Sequence, residues 1–372
     1  MLIMRERERE SRRTPKHATS VHSKKHSDME RKNANPQDLP MAVEANQEGL
    51  QSNEDLHLVL VLRLPSFNLP VNDILRPHFH LLDPADSPEP ASSFLSNHAQ
   101  SVRALICVGY APVTAETLNL LPSLELIVAS SAGVDHIDIQ ECRRRGIIMT
   151  NASTAFAEDA ADYAVALLID VWRRISAADR FLHAGLWPVK GDYPLASKLR
   201  GKRVGIVGLG SIGFEVSKRL EAFGCSIAYN SRMEKPSVPF PYYANVLDLA
   251  AHSDALVLCC SLTEQTRHII NKDVMTALGK KGVIINVGRG GLIDEKELVQ
   301  FLLRGDIGGA GLDVFENEPD VPRELFELDN VVLSPHRAVA TPESFEAVFQ
   351  LIFTNLKAFF SNKPLQSVYQ IE

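Results

Sequence analysis

The stretch Val204-Gly205-Ile206-Val207-Gly208-Leu209-Gly210-Ser211-Ile212-Gly213 decides the fold. Four strand-like residues run into a G-x-G-x-x-G turn, and Phe214-Glu215-Val216-Ser217-Lys218-Arg219-Leu220 continues with helical spacing. Glycines at this spacing form a cradle for a pyrophosphate. Gly208 allows the tight turn, Gly210 lets the backbone approach the phosphates, and Gly213 lets helix and strand pack closely. The anion then rests on the free N–H groups of the helix N-terminus, with Leu209, Ser211 and Ile212 completing the contact. A lone motif of this kind is common, and the strand before it, the helix behind it and the βα units that follow supply its required context.

Outward from the turn, apolar strand candidates alternate with helical segments on both sides. Upstream they are His57–Leu62, Phe79–Leu82, Ala104–Val108, Leu126–Ala129 and Ile147–Met149; downstream, Ser226–Tyr229, Ala255–Cys259, Val283–Asn286, Gly309–Asp313 and Val331–Leu333. This alternation predicts an α/β chain of two doubly wound parallel-sheet domains. The second, which carries the glycine turn, is a Rossmann domain with six strands. Ala160–Trp172, apolar nearly all round, suits a helix buried between the domains, and Pro342–Phe360 reads as a final helix returning to the first. The expected division is 55–155 with 343–372 as one domain and 156–342 as the nucleotide domain.

The 372 residues carry 45% hydrophobic and 23% charged side chains, the balance of a soluble globular protein. Residues 1–54 differ: alternating Arg and Glu give way to Ser, His, Lys, Asn and Pro without an apolar cluster, a composition that predicts a disordered extension. Beyond Pro40 there are 29 Lys/Arg against 40 Asp/Glu, which argues against a nucleic-acid partner. No run is apolar enough to span a bilayer, so no membrane is expected. The segment lacks a hydrophobic signal core, its glutamates speak against a transit peptide, and the cytoplasm is the default. Cys107, Cys142, Cys225, Cys259 and Cys260 show no zinc-type spacing, so no metal is expected and reduced thiols are.

The second nucleotide-domain strand ends Ala228-Tyr229-Asn230-Ser231-Arg232, where an acidic residue would accept the ribose hydroxyls of NAD. A neutral Asn230 beside Ser231 and Arg232 suits a 2′-phosphate instead, with a guanidinium to pair it and two side chains to donate to it. NADP(H) is therefore the expected cofactor.

Three late strand ends carry polar residues that a core would not ask for: Asn286-Val287-Gly288-Arg289-Gly290-Gly291, Leu312-Asp313-Val314-Phe315-Glu316-Asn317-Glu318-Pro319, and Ser334-Pro335-His336-Arg337. In a doubly wound sheet all three face one crevice, with Val287 and Gly288 beside the cofactor. With the glycine turn, they resemble the D-isomer-specific 2-hydroxyacid dehydrogenase family, and Asn230-Ser231-Arg232 is most similar to its plant glyoxylate/hydroxypyruvate reductases. The resemblance spans roughly residues 57–367. It implies that Arg289 clamps the substrate carboxylate and keto oxygen, that His336 protonates the developing alkoxide, and that Glu318 pairs with His336 to keep the imidazolium available near neutral pH. Asp313 would orient the nicotinamide amide. The backbone of Ala132, Gly133 and Val134 would hold the substrate carboxylate, with Val108-Gly109-Tyr110 facing it. Asp162, on the interdomain helix, would be structural, and a homodimer is implied.

The implied reaction is NADPH-dependent reduction of small 2-keto acids, hydroxypyruvate to D-glycerate and glyoxylate to glycolate. Tyr110 and Phe156 leave open a bulkier acid such as 4-hydroxyphenylpyruvate, and a dinucleotide-sensing corepressor is the alternative of another class. Arg337, where many members have a Gly-Ser turn, is open between anion contact and rim charge. Cys260-Ser261-Leu262-Thr263 replaces a frequent Pro-Leu-Thr, and Trp187 is open between a dimer arm and core packing.

Overall fold

A computed structural model describes residues 56–64 and 74–370. The expected disordered extension over 1–54 lies outside the described residues. Two parallel sheets carry the fold. The first contains β1 (Leu58–Leu62), β2 (His80–Leu82), β3 (Ala104–Cys107), β4 (Leu126–Ala129) and β5 (Ile148–Thr150), in the order β2-β1-β3-β4-β5. Its strands are apolar runs with β3 and β4 buried at every position, as a parallel sheet covered on both faces requires. Helices α1 (Ala91–His98), α2 (Ala115–Asn119) and α3 (Ile139–Arg145) lie between them among the described residues.

The long helix α4 (Ala157–Arg173) leads from the first sheet into the second. It buries Ala160, Ala164, Leu168 and Trp172 among others, the spacing of an apolar helical face. Glycines in the strand beneath it permit its approach: a Cβ on Gly311 would lie 3.0 Å from Leu167 Cβ, and one on Gly309 would lie 2.8 Å from Val171. Asp162 pairs with Arg219, which in turn pairs with Glu215, in keeping with its expected structural part. Two short helices follow, α5 (Ile175–His183) and α6 (Trp187–Lys190). Trp187 is 58% exposed, which removes core packing as its reading.

The second sheet comprises β6 (Arg203–Val207), β7 (Ser226–Asn230), β8 (Ala255–Leu258), β9 (Val283–Asn286), β10 (Gly309–Leu312) and β11 (Val331–Leu333), ordered β11-β10-β9-β8-β6-β7. Helices α7 (Ser211–Ala222), α8 (Val246–Ala251), α9 (Lys272–Leu278) and α10 (Glu295–Arg304) cover it. The strand that a dinucleotide-binding sheet normally places outside its second strand is here a single parallel bridge, Tyr229 to Tyr242. Prolines at 236, 239 and 241 remove the N–H groups a full strand would need there.

The final helix α11 (Pro342–Phe360), capped by Thr341, returns to the first sheet. Phe353 meets His78 edge-on at 4.8 Å, and Phe360 stacks on His57 at 4.1 Å. The following tail bridges Val368 to Thr150 antiparallel, adding to the β5 edge. The five cysteines are free, and Cys107, Cys142 and Cys225 are buried. Burial pushes the Cys107 thiol up to about 12, so it behaves as a small apolar side chain.

Candidate active site

The glycine turn sits where β6 gives way to α7. Gly208 has φ of +96°, and a Cβ there would fall 2.5 Å from the Cys260 backbone nitrogen. The loop after β8 thus seals the turn, a part for Cys260 that the sequence does not signal. A Cβ on Gly213 would fall 2.2 Å from the Gly208 carbonyl oxygen, so helix and strand do pack through this glycine. Around Gly210 a Cβ would meet nothing, and this exposed position opens onto solvent. Gly210 also caps α7, accepting from the Phe214 N–H, which leaves the first-turn N–H groups of Ser211, Ile212 and Gly213 directed outward. Leu209 is buried beneath the turn. The residues fit a dinucleotide pyrophosphate: an open face, a helix N-terminus and no side chain in the way.

At the end of β7, Asn230 donates from Nδ2 to the Tyr243 carbonyl at 2.8 Å, and Ser231 donates its hydroxyl to the Met233 carbonyl at 2.5 Å. Both side chains expected to donate to a 2′-phosphate thus also bond within their own loop. Arg232, the cation of the three, is exposed beside them. Two tyrosine hydroxyls hold the loop: Tyr229 accepts from the Lys235 N–H at 2.7 Å, and Tyr242 donates to the Ser231 carbonyl at 3.2 Å.

Arg289, Glu318 and His336 come together at the carboxyl ends of β9, β10 and β11. The fully buried Asn286 shapes the first loop, accepting from the Gly288 N–H at 3.0 Å and donating to the Arg289 carbonyl at 2.9 Å. Val287 is buried and Gly288 is half-buried beside it. The loops bearing Arg289 and Glu318 touch backbone to backbone, since a Cβ on Gly290 would fall 1.9 Å from the Phe315 carbonyl carbon. Glu318 accepts from the Phe315 N–H at 3.0 Å through one oxygen and lies 2.7 Å from His336 Nδ1 through the other. Burial works to raise the Glu318 carboxyl, but the His336 hydrogen bond and charge, the Phe315 N–H and the Arg289 charge hold it below its ordinary value. An ionised Glu318 only accepts, so His336 Nδ1 carries a hydrogen and Nε2 is the nitrogen left to exchange a proton.

His336 itself has φ of +52° and hangs from Asp313, whose carbonyl accepts the His336 N–H at 2.8 Å. The Asp313 carboxylate is fully buried. It accepts from the Ser334 hydroxyl at 2.6 Å, the Arg337 N–H at 2.7 Å and the Ala338 N–H at 2.9 Å. Beside its expected part at the nicotinamide, the carboxylate fixes the turn carrying His336. The Arg337 side chain is exposed and forms no ion pair among the described residues.

The first sheet supplies the opposing wall. Gly109, at φ of +65°, turns the chain after β3, and Tyr110 lies over His336 with ring centroids 6.2 Å apart and planes 18° from parallel. Phe156, by contrast, is buried and lines no mouth. The loop after β4 is folded by the Ser131 hydroxyl, which donates to the Gly133 carbonyl at 2.7 Å, and by Asn151, which donates to the Ala132 carbonyl at 2.8 Å. The N–H groups of Ala132, Gly133 and Val134 have no acceptor among the described residues. Arg289 reaches this loop, donating from Nε to Asp135 at 3.0 Å. No group of three potential metal ligands occurs among the described residues.

A profile of the D-isomer-specific 2-hydroxyacid dehydrogenase NAD-binding domain matches residues 165–338. A glyoxylate/hydroxypyruvate reductase of Arabidopsis thaliana is 58% identical over 316 residues, covering 85% of this chain and 98% of the relative. A hydroxyphenylpyruvate reductase of Plectranthus scutellarioides is 47% identical over 272 residues, 73% of this chain and 87% of the relative. Among solved structures, an NADPH-dependent glyoxylate/hydroxypyruvate reductase from Sinorhizobium meliloti, in complex with NADP and malonate, superposes with a TM-score of 0.76 at 36% identity, covering 85% of this chain and 97% of the other. Sequence, sheet order and the polar strand ends agree, and the chain belongs to the D-isomer-specific 2-hydroxyacid dehydrogenase family.

Proposed function

We propose that the protein reduces small 2-keto acids with NADPH, hydroxypyruvate to D-glycerate and glyoxylate to glycolate. One observation carries the reading: a histidine oriented by a carboxylate, and an arginine beside it, face unpaired backbone N–H groups across one cleft. When bound on the Gly208–Gly213 turn, with Arg232 beside the 2′-phosphate, NADPH supplies the hydride. The N–H groups of Ala132, Gly133 and Val134 hold the substrate carboxylate, and Arg289 forks onto the carboxylate and keto oxygen. His336 gives its Nε2 proton to the oxygen as negative charge develops there, while Glu318 keeps the ring aligned and compensates the imidazolium. Residues 55–155 with 343–372 serve as the substrate lobe and 156–342 as the cofactor lobe. Tyr110 over His336 narrows the mouth, which favours small acids over the arylpyruvate suggested by the Plectranthus relative.

The protein acts as a cytosolic homodimer in this proposal. Trp187 and Val189 on α6 and Leu195 in the segment after it are 58%, 79% and 97% exposed, an apolar stretch that a second copy would cover. Among the described residues no helix is long and apolar enough to cross a membrane.

The test is initial-rate oxidation of NADPH and NADH with hydroxypyruvate, glyoxylate and 4-hydroxyphenylpyruvate, repeated with His336→Ala. Fast NADPH turnover of the two small acids, falling about 10²-fold or more in His336→Ala with NADPH binding retained, is expected. Preference for the aryl acid would refute the small pocket, and dinucleotide binding without turnover would turn the reading to a sensor.

A further inference from the structure

We propose that Asp135 is a positioning residue of the reaction, holding Arg289 from across the cleft. The proposal rests on the reading of Arg289 as the substrate clamp. The two residues are 154 positions apart and belong to loops of different sheets, yet Arg289 Nε donates to Asp135 Oδ1 at 3.0 Å with both side chains largely sheltered, 23% and 29% exposed.

The loop is shaped for this meeting. A Cβ on Gly133 would fall 2.3 Å from Arg289 Nη2 and 2.8 Å from the Asp135 carboxylate oxygen, so the ion pair lies directly against the Gly133 backbone, where a side chain would displace it. Arg289 Nη1 donates back to the Gly288 carbonyl at 2.9 Å. With Nε given to Asp135 and Nη1 turned to its own loop, the edge bearing Nη2 lies over Gly133, beside the unpaired N–H groups of Ala132 to Val134. A flexible arginine side chain carries about 2 kcal/mol of rotamer entropy, and a second anchor removes part of that freedom before substrate arrives. Neighbouring His136 does not compete for Asp135. Burial chiefly, with the Arg289 charge, lowers its pKa against the opposing pull of Asp135, and its ring nitrogens have no hydrogen-bond partner among the described residues.

Asp135 touches neither the glycine turn nor Glu318 or His336 among its hydrogen bonds. Its loss therefore acts through Arg289 and spares cofactor binding.

A double-mutant cycle tests this, with Asp135→Asn, Arg289→Gln and the pair measured for kcat, KM of glyoxylate, NADPH Kd and apparent Tm. Asp135→Asn is expected to lower kcat/KM about tenfold, mainly through KM, while NADPH Kd and Tm hold. In the Arg289→Gln background the same change is expected to do nothing further, and Asp135→Glu is expected to recover part of the loss. Equal loss from Asp135→Asn in both backgrounds, or loss tracking Tm or NADPH Kd, would overturn the proposal. Undiminished turnover in Arg289→Gln would overturn the clamp and the proposal together, which separates the two failures.

Discussion

Asp313→Asn isolates the support of His336, because it changes one atom in a fully buried side chain. The carboxylate takes three hydrogen bonds, two on Oδ1 from Ser334 and Arg337 and one on Oδ2 from Ala338. An asparagine that keeps its oxygen at the Oδ1 position turns its NH2 toward the Ala338 N–H, donor against donor. The flipped amide is worse, since it forfeits two acceptors rather than one. The better orientation loses one charge-assisted hydrogen bond and strands one buried N–H, together about 3–5 kcal/mol. At roughly 2–4 °C per kcal/mol for domains of this size, the apparent Tm falls by about 10 °C if the loop holds its shape. If the loop relaxes instead, His336 leaves Glu318 and the cost appears as a loss of kcat. The assay is thermal unfolding beside steady-state kinetics with hydroxypyruvate and NADPH. A variant with Tm within a degree and kcat within twofold of the parent would refute the reasoning. A rise in NADPH KM alone would return Asp313 to the nicotinamide.

Two further expectations concern the cradle and the pair. Gly213→Ala drives a methyl into the Gly208 carbonyl, backbone that cannot rotate away, so about 1–3 kcal/mol of strain separates helix from strand. NADPH Kd, read by fluorescence titration, rises roughly 10- to 100-fold, and an unchanged Kd would mean the turn does not bind the cofactor. Glu318→Gln removes a carboxylate whose folded pKa is depressed. Its contribution to stability is full above the unfolded value of about 4.3 and is lost as pH falls through the lower folded value. The Tm gap between parent and variant therefore stays level from neutral pH to about pH 5 and closes below about pH 4. A gap that widens with acid would reverse the sign argument.

The sequence made the site legible where chemistry and backbone demand coincide. Gly208, Gly210 and Gly213 announce a turn by type and spacing, and Arg289, Glu318 and His336 stand at strand ends where a core would want apolar residues. Strand positions followed from apolar runs, to within a residue or two at each end. Legibility failed where a polar side chain chooses between ligand and protein. Ser231 and Asp313 each have the right atoms for a cofactor, and nothing in the sequence says that they also bond Met233, Arg337 and Ala338 within the protein. Nor does composition reveal a pair 154 residues apart, because Asp135 meets Arg289 only once two sheets have folded and faced each other. The missing strand was half-legible: three prolines between Lys235 and Tyr242 forbid a ladder, but the single bridge they leave is a matter of tertiary fit.

The division of these residues between two walls has a consequence for how the enzyme works. His336, Glu318, Arg289 and the Gly208 turn all descend from one sheet, and the loops between them meet through glycines or through buried polar anchors. In the proposed reaction the proton donor and the cofactor are therefore held by the same sheet. The Ala132–Val134 cradle and Tyr110 descend from the other sheet and meet the first wall through the Arg289–Asp135 pair and the Tyr110–His336 stack, among other contacts. In the proposed reaction the Ala132–Val134 cradle and Arg289 hold the keto acid together, so the placing of the keto carbon depends on both walls. On that reading the pairing of His336 with the cofactor turn is set within one side of the cleft, and the orientation of the acid against them is set across it.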